Sequence, residues 1–210
     1  MKATEYYQPI VCMNCKPFSQ ACENNKEPIL QIIRQVYANT NFVLEIGCGT
    51  GQHACYFATH LPHLIWQPTD KQENIQSMNV LQQTNLHANL KSALALDITD
   101  KCWPYENIDA IFTANTLHIM SNKEVHQGFV QLGVHLKLKG LICIYGPFNY
   151  NGTYTSDSNA RFDNWLKGQN PLSCIKNIED IISFATDQSL SLINDFELPA
   201  NNRLLVFQKY

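Results

Sequence analysis

The fold is decided by one stretch, residues 42–53, which reads Phe42-Val43-Leu44-Glu45-Ile46-Gly47-Cys48-Gly49-Thr50-Gly51-Gln52-His53. Four apolar residues in five positions, followed by a glycine cluster, predict a short buried strand. Glycine at every second position then allows a sharp turn and a close approach of the backbone to a ligand. Ala54, Phe57 and Leu61 follow at helical spacing, so the loop is expected to open a helix whose N-terminal amides face that ligand. The stretch therefore predicts a strand, a glycine loop and a helix that hold a nucleotide-like molecule.

The spacing of the glycines separates the nucleotides that such a loop could bind. A P-loop ends in Gly-Lys-Ser/Thr, but no lysine occurs between Thr40 and Asp70. The dinucleotide fingerprint needs its third glycine at position 52, which is Gln52. Instead Glu45 lies two residues before Gly47 and gives the pattern Glu-x-Gly-x-Gly-x-Gly. A carboxylate there would repel a pyrophosphate, whereas it suits a cationic ligand such as an amino acid that carries a sulfonium.

Three further predicted strands end in residues that the same ligand could contact. They cover residues 64–70, 92–98 and 108–115 and end at Asp70, at Asp97 with Ile98, and at Asn115. Asp70 follows the glycines by about twenty residues, where a carboxylate can accept hydrogen bonds from both ribose hydroxyls. Parallel strands present their carboxyl ends at one edge of a sheet, so we expect these residues to converge on one pocket with the glycine loop.

Strands and helices alternate along the chain, which predicts an α/β fold with a doubly wound, mostly parallel sheet. A weak helical pattern covers residues 72–84. Ser121 and Glu124 form a capping box for another helix, whose end at residues 138–140 leads into a strand at 141–145. A last helix ending at residue 188 and a hairpin of residues 190–198 and 203–209 are expected to complete the chain.

The length of 210 residues and a hydrophobic content of 45% predict one domain, residues 1–210. Residues 1–40 are expected to form an irregular cap and then a helix that begins at Pro28 and lies over the pocket. At the entry of that helix, Asn25 and Lys26 could contact the ligand or belong to an ordinary capped turn. Residues 146–175 form a long polar connection whose aromatic residues favour an ordered, lid-like insertion.

The pattern of Glu45, Gly47, Gly49 and Gly51 resembles motif I of the class I S-adenosylmethionine-dependent methyltransferases. A narrower resemblance, to the methyltransferase-like-26 proteins and their bacterial relatives, covers most of the chain. The matching stretches are residues 25–30, 43–47, 50–54, 66–68 with 70, 109–112, 114–115 with 117–119, 145–148, 155–156, 158–159, 162–163 and 199–202. This resemblance implies a Rossmann-like class I methyltransferase fold with a seven-stranded sheet and a C-terminal antiparallel hairpin. It implies S-adenosylmethionine as the cofactor and does not supply the methyl acceptor.

In the methyltransferase pattern, the acid that ends the third strand, or the backbone beside it, faces the adenine amino group. Together with the spacing argument, this predicts a set of cofactor-binding residues: Glu45, Gly47, Cys48, Gly49, Gly51, Gln52, Asp70, Asp97, Ile98, Asn115, Asn25 and Lys26.

Candidates for catalysis and for the acceptor pocket follow the later strands. His118 could act as a general base at the rim of the fourth strand, or it could be a hydrogen-bonded structural residue. Tyr145 is a second catalytic candidate and, with Phe148, a candidate pocket wall whose ring would attract a sulfonium. Arg161 could bind an anionic acceptor or pair with a neighbouring Asp, and Asn201 completes the predicted acceptor pocket.

The charge, the apolar runs and the cysteine spacing argue against several classes of binding partner for such an enzyme. The net charge of −3 and the absence of a basic run disfavour nucleic acid, which leaves a small molecule as the preferred acceptor. No apolar run approaches the ~20 residues that span a bilayer, and the first residues lack the apolar core of a signal peptide, so we expect a cytoplasmic protein. Cys12, Cys15 and Cys22 lack a fourth ligand at zinc spacing, so no metal is expected.

Three other functions remain compatible with the same motifs. A regulatory or interaction module could keep the cofactor pocket and lack turnover, and a protein segment could replace the small molecule as the acceptor. A nicotinamide-dependent oxidoreductase is the third, although Glu45 and the missing third glycine argue against it.

Overall fold

The computed structural model describes residues 18–75 and 87–210. The strands in these ranges are β1 Phe42–Ile46, β2 Ile65–Asp70, β3 Leu94–Ala95, β4 Ile108–Ala114, β5 Leu136–Gly146, β6 Phe148–Asn149, β7 Lys176–Asn177, β8 Leu190–Leu198 and β9 Asn202–Lys209. The helices are α1 Gln20–Val36, α2 Gln52–His60, α3 Asn122–His135, α4 Asp157–Gln169 and α5 Ile178–Thr186, with a 3-10 turn at Leu117–Ile119. None of these helices has the length and apolar character needed to cross a membrane.

Seven strands form the main sheet in the order β3-β2-β1-β4-β5-β9-β8. All neighbours from β3 to β5 pair in parallel, whereas β9 pairs antiparallel with both β5 and β8. The predicted fold class is therefore confirmed, including the C-terminal antiparallel hairpin. The strand order reverses between β1 and β4, which is where open α/β sheets bind their ligands.

Apolar residues cover both faces of this sheet. Val43 and Leu44 are adjacent on β1 and fully buried, but they belong to different core clusters because successive strand residues point to opposite faces. The cluster around Val43 includes buried residues of α1 and α2, and the cluster around Leu44 includes those of α3 and α5. These two layers hold β1 rigidly, so the loop that follows it has a fixed base.

The first helix begins earlier than the predicted start at Pro28. Ser19 caps α1 by accepting a hydrogen bond from the Cys22 amide at 3.3 Å, and Pro28 lies inside the helix. The helix is anchored by its second half, where Ile29 and Ile33 are fully buried. Its first two turns are mainly polar and therefore carry no apolar periodicity that the sequence could reveal. Of the predicted irregular cap, residues 1–17 lie outside the described part.

Two predicted boundaries around β5 are wrong. The third helix ends at His135, and residues 138–140 belong to the long strand β5 rather than to the end of the helix. The first residue of β5, Leu136, already pairs with Ile108, and the register then shifts before Ala110. Such an irregularity is consistent with the positive φ of 62° at Lys139 and interrupts the pattern expected of a regular strand.

Smaller differences affect the other elements. The third strand contains only Leu94–Ala95, and the last helix ends at Thr186 rather than at residue 188. The weak helix at residues 72–84 lies mostly outside the described residues, because only its first four positions are covered. The predicted insertion at 146–175 contains β6 and α4, and Asp163 of α4 organises it by accepting a hydrogen bond from the Ile175 amide at 2.6 Å.

Candidate functional site

A cavity of about 600 Å³ opens beside the glycine loop, at the carboxyl ends of β1, β2 and β4. Eight of the predicted site residues line it: Gly47, Cys48, Gly49, Asp70, Asp97, Ile98, Asn115 and His118. These residues come from four separate stretches of the chain. The parallel sheet brings them together because it places the ends of its strands at one edge.

The glycine loop leaves β1 with positive φ angles at Gly47 and Gly49, of 71° and 52°. A Cβ at Gly47 would lie 2.6 Å from Oγ1 of Thr116, so only glycine allows the loops after β1 and β4 to approach this closely. A Cβ at Gly49 would meet no atom within 4 Å. Gly49 therefore faces open space at the cavity, as a residue must if a ligand is to lie against its backbone.

Asp70 ties the end of β2 to the glycine loop. Its Oδ2 accepts a hydrogen bond from the Gly49 amide at 2.7 Å, and its Oδ1 accepts from the Lys71 amide at 2.8 Å and from Asn74 Nδ2 at 2.7 Å. A carboxylate offers about four acceptor positions, so Asp70 keeps one for a ligand hydroxyl and can exchange others. This placement fits a ribose and leaves Asp70 nearly buried, with 7% of its surface exposed.

The carboxylate of Asp97 is committed to local contacts. Its Oδ1 accepts hydrogen bonds from the amide and the hydroxyl of Thr99, at 2.9 and 2.8 Å, and its Oδ2 pairs with Lys71 Nζ at 3.0 Å. The turn that these bonds stabilise presents Ile98 to the cavity. The backbone and side chain of Ile98 are therefore better placed than the Asp97 carboxylate to contact an adenine ring.

Glu45 does not line the cavity. Only 1% of its surface is exposed, and its Oε2 accepts a hydrogen bond from the indole Nε1 of Trp66 at 2.7 Å. The pKa of Glu45 is raised to about 8, mainly by burial. The hydrogen bond from Trp66 opposes this rise, and the charge of the nearby Asp70 adds to it. The direct contact with a cationic ligand that we expected from the sequence stays a prediction.

The buried Glu45 should make stability depend on pH. Because its pKa is raised from 4.5 to about 8 in the folded state, its contribution is fully present below pH 4.5 and is lost as the pH rises through 8. Glu45→Gln keeps an acceptor for Trp66 without the charge. As the pH rises from 5 to 9, we expect the free energy of unfolding of this variant to increase relative to that of the wild type by on the order of a few kcal/mol. Urea unfolding at both pH values measures the difference, and parallel curves for the two proteins would contradict it.

The predicted contacts at the start of α1 and α2 connect the two helices instead of lining the cavity. Gln52 Nε2 donates to the Ser19 carbonyl at 3.3 Å, and the Ser19 amide donates to Gln52 Oε1. Asn25 Oδ1 lies 2.6 Å from Nε2 of the buried His53. Lys26 pairs with the exposed Glu23 and, like Gly51, does not line the cavity.

The cavity wall also contains residues that the sequence did not predict as part of the site. They are Ser19, Ala21, Cys22, His53, Lys71, Asn74, Thr116, Ile119, Met120, Glu124, Phe162 and Asn170. Ser19 carried a weak local signal as a possible helix cap. The positions of the others depend on how distant elements pack, which the local pattern does not contain.

The predicted acceptor residues are scattered. Tyr145 and Phe148 are buried in different core clusters and do not line the cavity, because β5 and β6 turn their rings into the core. Arg161 and Asn201 are exposed and also lie outside the cavity lining. Phe162, next to Arg161 on α4, is the residue of that helix turn that reaches the cavity, since neighbouring helix positions face different directions.

His118 lies in the 3-10 turn after β4 and lines the cavity. Its ring packs edge-on against Phe162, with 5.2 Å between the ring centroids. Burial, assisted by the charge of Lys176, lowers the pKa of His118 to about 4. His118 is therefore a neutral imidazole at pH 7, able to donate or accept one hydrogen bond but weak as a proton acceptor.

A family model described as a protein of unknown function (DUF938) matches residues 16–209. The chain belongs to the DUF938 family.

Solved structures of similar fold include two that are described as O-methyltransferase family proteins. An O-methyltransferase family protein from Burkholderia thailandensis has a TM-score of 0.77 at 15% identity, over 90% of this chain and 57% of its own. PigF with SAH has a TM-score of 0.75 at 12% identity, over 87% and 55%. An O-methyltransferase family 2 protein from Planctomyces limnophilus in complex with apigenin has a TM-score of 0.71 at 13% identity, over 89% and 62%.

This family member thus spans little more than half the length of the structures that it matches. At these identities the likeness establishes the fold, which is that of Rossmann-like methyltransferases.

Proposed function

We propose that this protein transfers a methyl group from S-adenosylmethionine to a small molecule. The observation that carries the proposal is the convergence of Gly49, Asp70 and Ile98 on one cavity at the switch point of the sheet. The fold shared with methyltransferases supports it, and so does the resemblance of the motifs to the methyltransferase-like-26 group. Membership of that narrower group is part of the proposal.

The cavity residues fit the parts of the cofactor. Gly49 leaves open space for the ligand against its backbone, Asp70 offers acceptors for ribose hydroxyls, and Ile98 offers an apolar surface for adenine. Asn115, with a φ of 58°, presents a polar side chain at the end of β4. Glu45 contributes a negative field from behind the loop in its ionised form, since a bound cation favours that form.

The chemistry asked of the protein is mainly alignment. When bound, S-adenosylmethionine supplies a methyl group activated by its positive sulfur. The residues of this chain would hold the acceptor atom in line at about 3 Å and exclude water, which can account for much of a rate enhancement. His118 would orient the acceptor through a hydrogen bond from its neutral ring.

Ligand-dependent melting tests the cofactor. We expect S-adenosylhomocysteine, and not NAD, to raise the melting temperature, because the loop has Gln52 where a dinucleotide-binding loop needs its third glycine. Stabilisation by NAD alone would favour the oxidoreductase and overturn the proposal.

Transfer itself is tested with tritium-methyl S-adenosylmethionine and fractionated cell extract. Label in the low-molecular-weight fraction is the expected result. Label confined to the protein fraction would mean that the acceptor is a protein segment and not a small molecule. Label confined to RNA or DNA would contradict the expected absence of a nucleic acid partner. Tight binding of S-adenosylhomocysteine without label in any fraction would favour the catalytically silent module.

A further inference from the structure

Lys176 on β7 is a buried cation for which the described residues provide no carboxylate partner. Only 4% of its surface is exposed, and its Nζ donates to the Met120 carbonyl at 2.7 Å and to Cys174 Sγ at 3.3 Å. None of the ion pairs within residues 18–75 and 87–210 includes it. By contrast, the exposed Lys167 pairs with Asp163 at 2.5 Å. Burying an uncompensated charge is costly, so Lys176 is an unusual feature of this fold.

This ammonium lies directly behind one wall of the cavity. Met120, whose carbonyl it binds, and His118 both line the cavity, and the charge of Lys176 reaches the His118 ring, whose pKa it lowers. The same segment holds the wall from the other side, because Ser173 Oγ donates to the Ile119 carbonyl at 2.9 Å. The positive field of Lys176 therefore acts on whatever lies beside His118.

The carboxylates that line the cavity are already engaged elsewhere. Asp70 binds the glycine loop and Asp97 binds Thr99 and Lys71. Glu124 accepts hydrogen bonds from the amide and the hydroxyl of Ser121, both at 2.7 Å, in the capping box of α3. Among the described lining residues, no carboxylate is thus left to neutralise Lys176 or to take a proton from an acceptor.

We propose, building on the function proposed above, that the methyl acceptor is a carboxylate, bound with its charged oxygen beside His118 and in the field of Lys176. A carboxylate is ionised at neutral pH and needs no base, which matches a wall that offers only a neutral imidazole. Ile119, Met120 and Phe162 supply apolar surface for the rest of the molecule. The product is a methyl ester.

The step balances without a proton. A lone pair on the carboxylate oxygen forms the bond to the methyl carbon, the carbon–sulfur bond breaks, and its electron pair stays on sulfur as a neutral thioether. One negative and one positive charge disappear together. Because the carboxylate charge is lost on the way to the product, Lys176 stabilises the bound acceptor more than the transition state. Its removal should therefore raise KM and should not lower kcat.

The stability of the transferred label tests the proposal without knowledge of the acceptor. The wild-type protein is incubated with tritium-methyl S-adenosylmethionine and the low-molecular-weight fraction of a cell extract, and the product is treated with mild alkali. A methyl ester releases its label as volatile methanol, which is the expected result. Label that stays in the involatile fraction is an ether, thioether or amine, and it would overturn the carboxylate while leaving methyl transfer intact. No label at all would contradict the proposed function itself.

Binding of probe anions tests Lys176 separately from turnover. We expect benzoate, cinnamate and phenylacetate to bind the protein saturated with S-adenosylhomocysteine more tightly than their neutral amides, as measured by ligand-observed NMR. Lys176→Met should weaken binding of the preferred acid at least tenfold, and Lys176→Arg should retain most of the affinity for that acid. A lack of preference for any acid over its amide would contradict the proposal.

Lys209 supplies the matched control. Its Nζ also donates to two backbone carbonyls, of Gly133 at 2.6 Å and Leu136 at 2.8 Å, with no carboxylate partner among the described residues, and it does not line the cavity. Lys209→Met should leave acid binding unchanged. If Lys176→Met and Lys209→Met lose acid affinity equally, then Lys176 only stabilises the fold. A parallel loss of S-adenosylhomocysteine affinity in Lys176→Met would lead to the same conclusion.

Discussion

Gly49→Val is expected to abolish measurable binding of S-adenosylhomocysteine while the protein remains folded. Gly49 has a φ of 52°, and a Cβ added there would meet no protein atom within 4 Å. The branched carbons of the valine would instead occupy the space in which the ligand approaches the backbone. The backbone strain of a left-handed residue costs roughly 1–2 kcal/mol, somewhat more for a branched one, and a domain of this size tolerates it. Isothermal calorimetry on the folded variant measures the loss.

The control for this variant is Gly152→Val. Gly152 has a φ of 68°, and a Cβ added there would likewise meet no atom within 4 Å, but Gly152 lies in an exposed turn away from the cavity. The two variants therefore share the strain and differ in the ligand site. Both should lose similar stability in urea, and only Gly49→Val should lose binding. Unchanged affinity in folded Gly49→Val would remove the glycine loop from the site.

Asp70→Ala is expected to weaken binding of S-adenosylhomocysteine by on the order of 2–4 kcal/mol, which corresponds to roughly thirtyfold to a thousandfold. The loss has two sources. The ribose would lose its charge-assisted acceptor, and the Gly49 amide would lose the partner that fixes the loop at 2.7 Å. Calorimetry and the melting temperature should be measured on the same preparations, so that an unfolded fraction is not counted as lost affinity.

Asp109→Ala is the matched control for Asp70→Ala. Asp109 accepts a backbone hydrogen bond from Asn41 at 3.2 Å and pairs with Lys137 at 2.6 Å, so it too joins two segments, but it lies outside the cofactor cavity. The Asp109→Ala variant should be less stable than the wild type and should bind S-adenosylhomocysteine with full affinity. If Asp70→Ala binds as tightly as Asp109→Ala, then Asp70 holds the loop and not the ribose.

Acceptor recognition illustrates how tertiary contacts redirect a prediction. The sequence offers Arg161 as the cation for an anionic acceptor, because it stands among aromatic residues in the insertion. In the structure Arg161 is exposed, whereas its neighbour Phe162 turns towards the cavity. Among the described residues, Lys71 at the cavity pairs with Asp97, whereas Lys176 has no carboxylate partner. Lys176 lies far from His118 along the chain and is brought behind it by the pairing of β6 with β7.

The local part of the site is determined by the sequence itself. A strand, a glycine loop and a helix follow one another within residues 42–60, and Asp70 ends the next strand. Each of these features has a period or a backbone requirement that acts over a few residues, so it can be recognised in the chain. The doubly wound sheet follows from their alternation, because parallel neighbours need a crossover and the crossover has a fixed hand.

Only the tertiary structure decides which side chains reach the cavity. Glu45 belongs to the motif, yet the indole of Trp66 holds it behind the loop. Tyr145 lies in the core although it is near the carboxyl end of β5, as Asn115 is near that of β4. Ser19 and Lys176 gain their places through contacts with residues far along the chain. Such contacts depend on the shape and burial of whole elements, and no spacing within a single element encodes them.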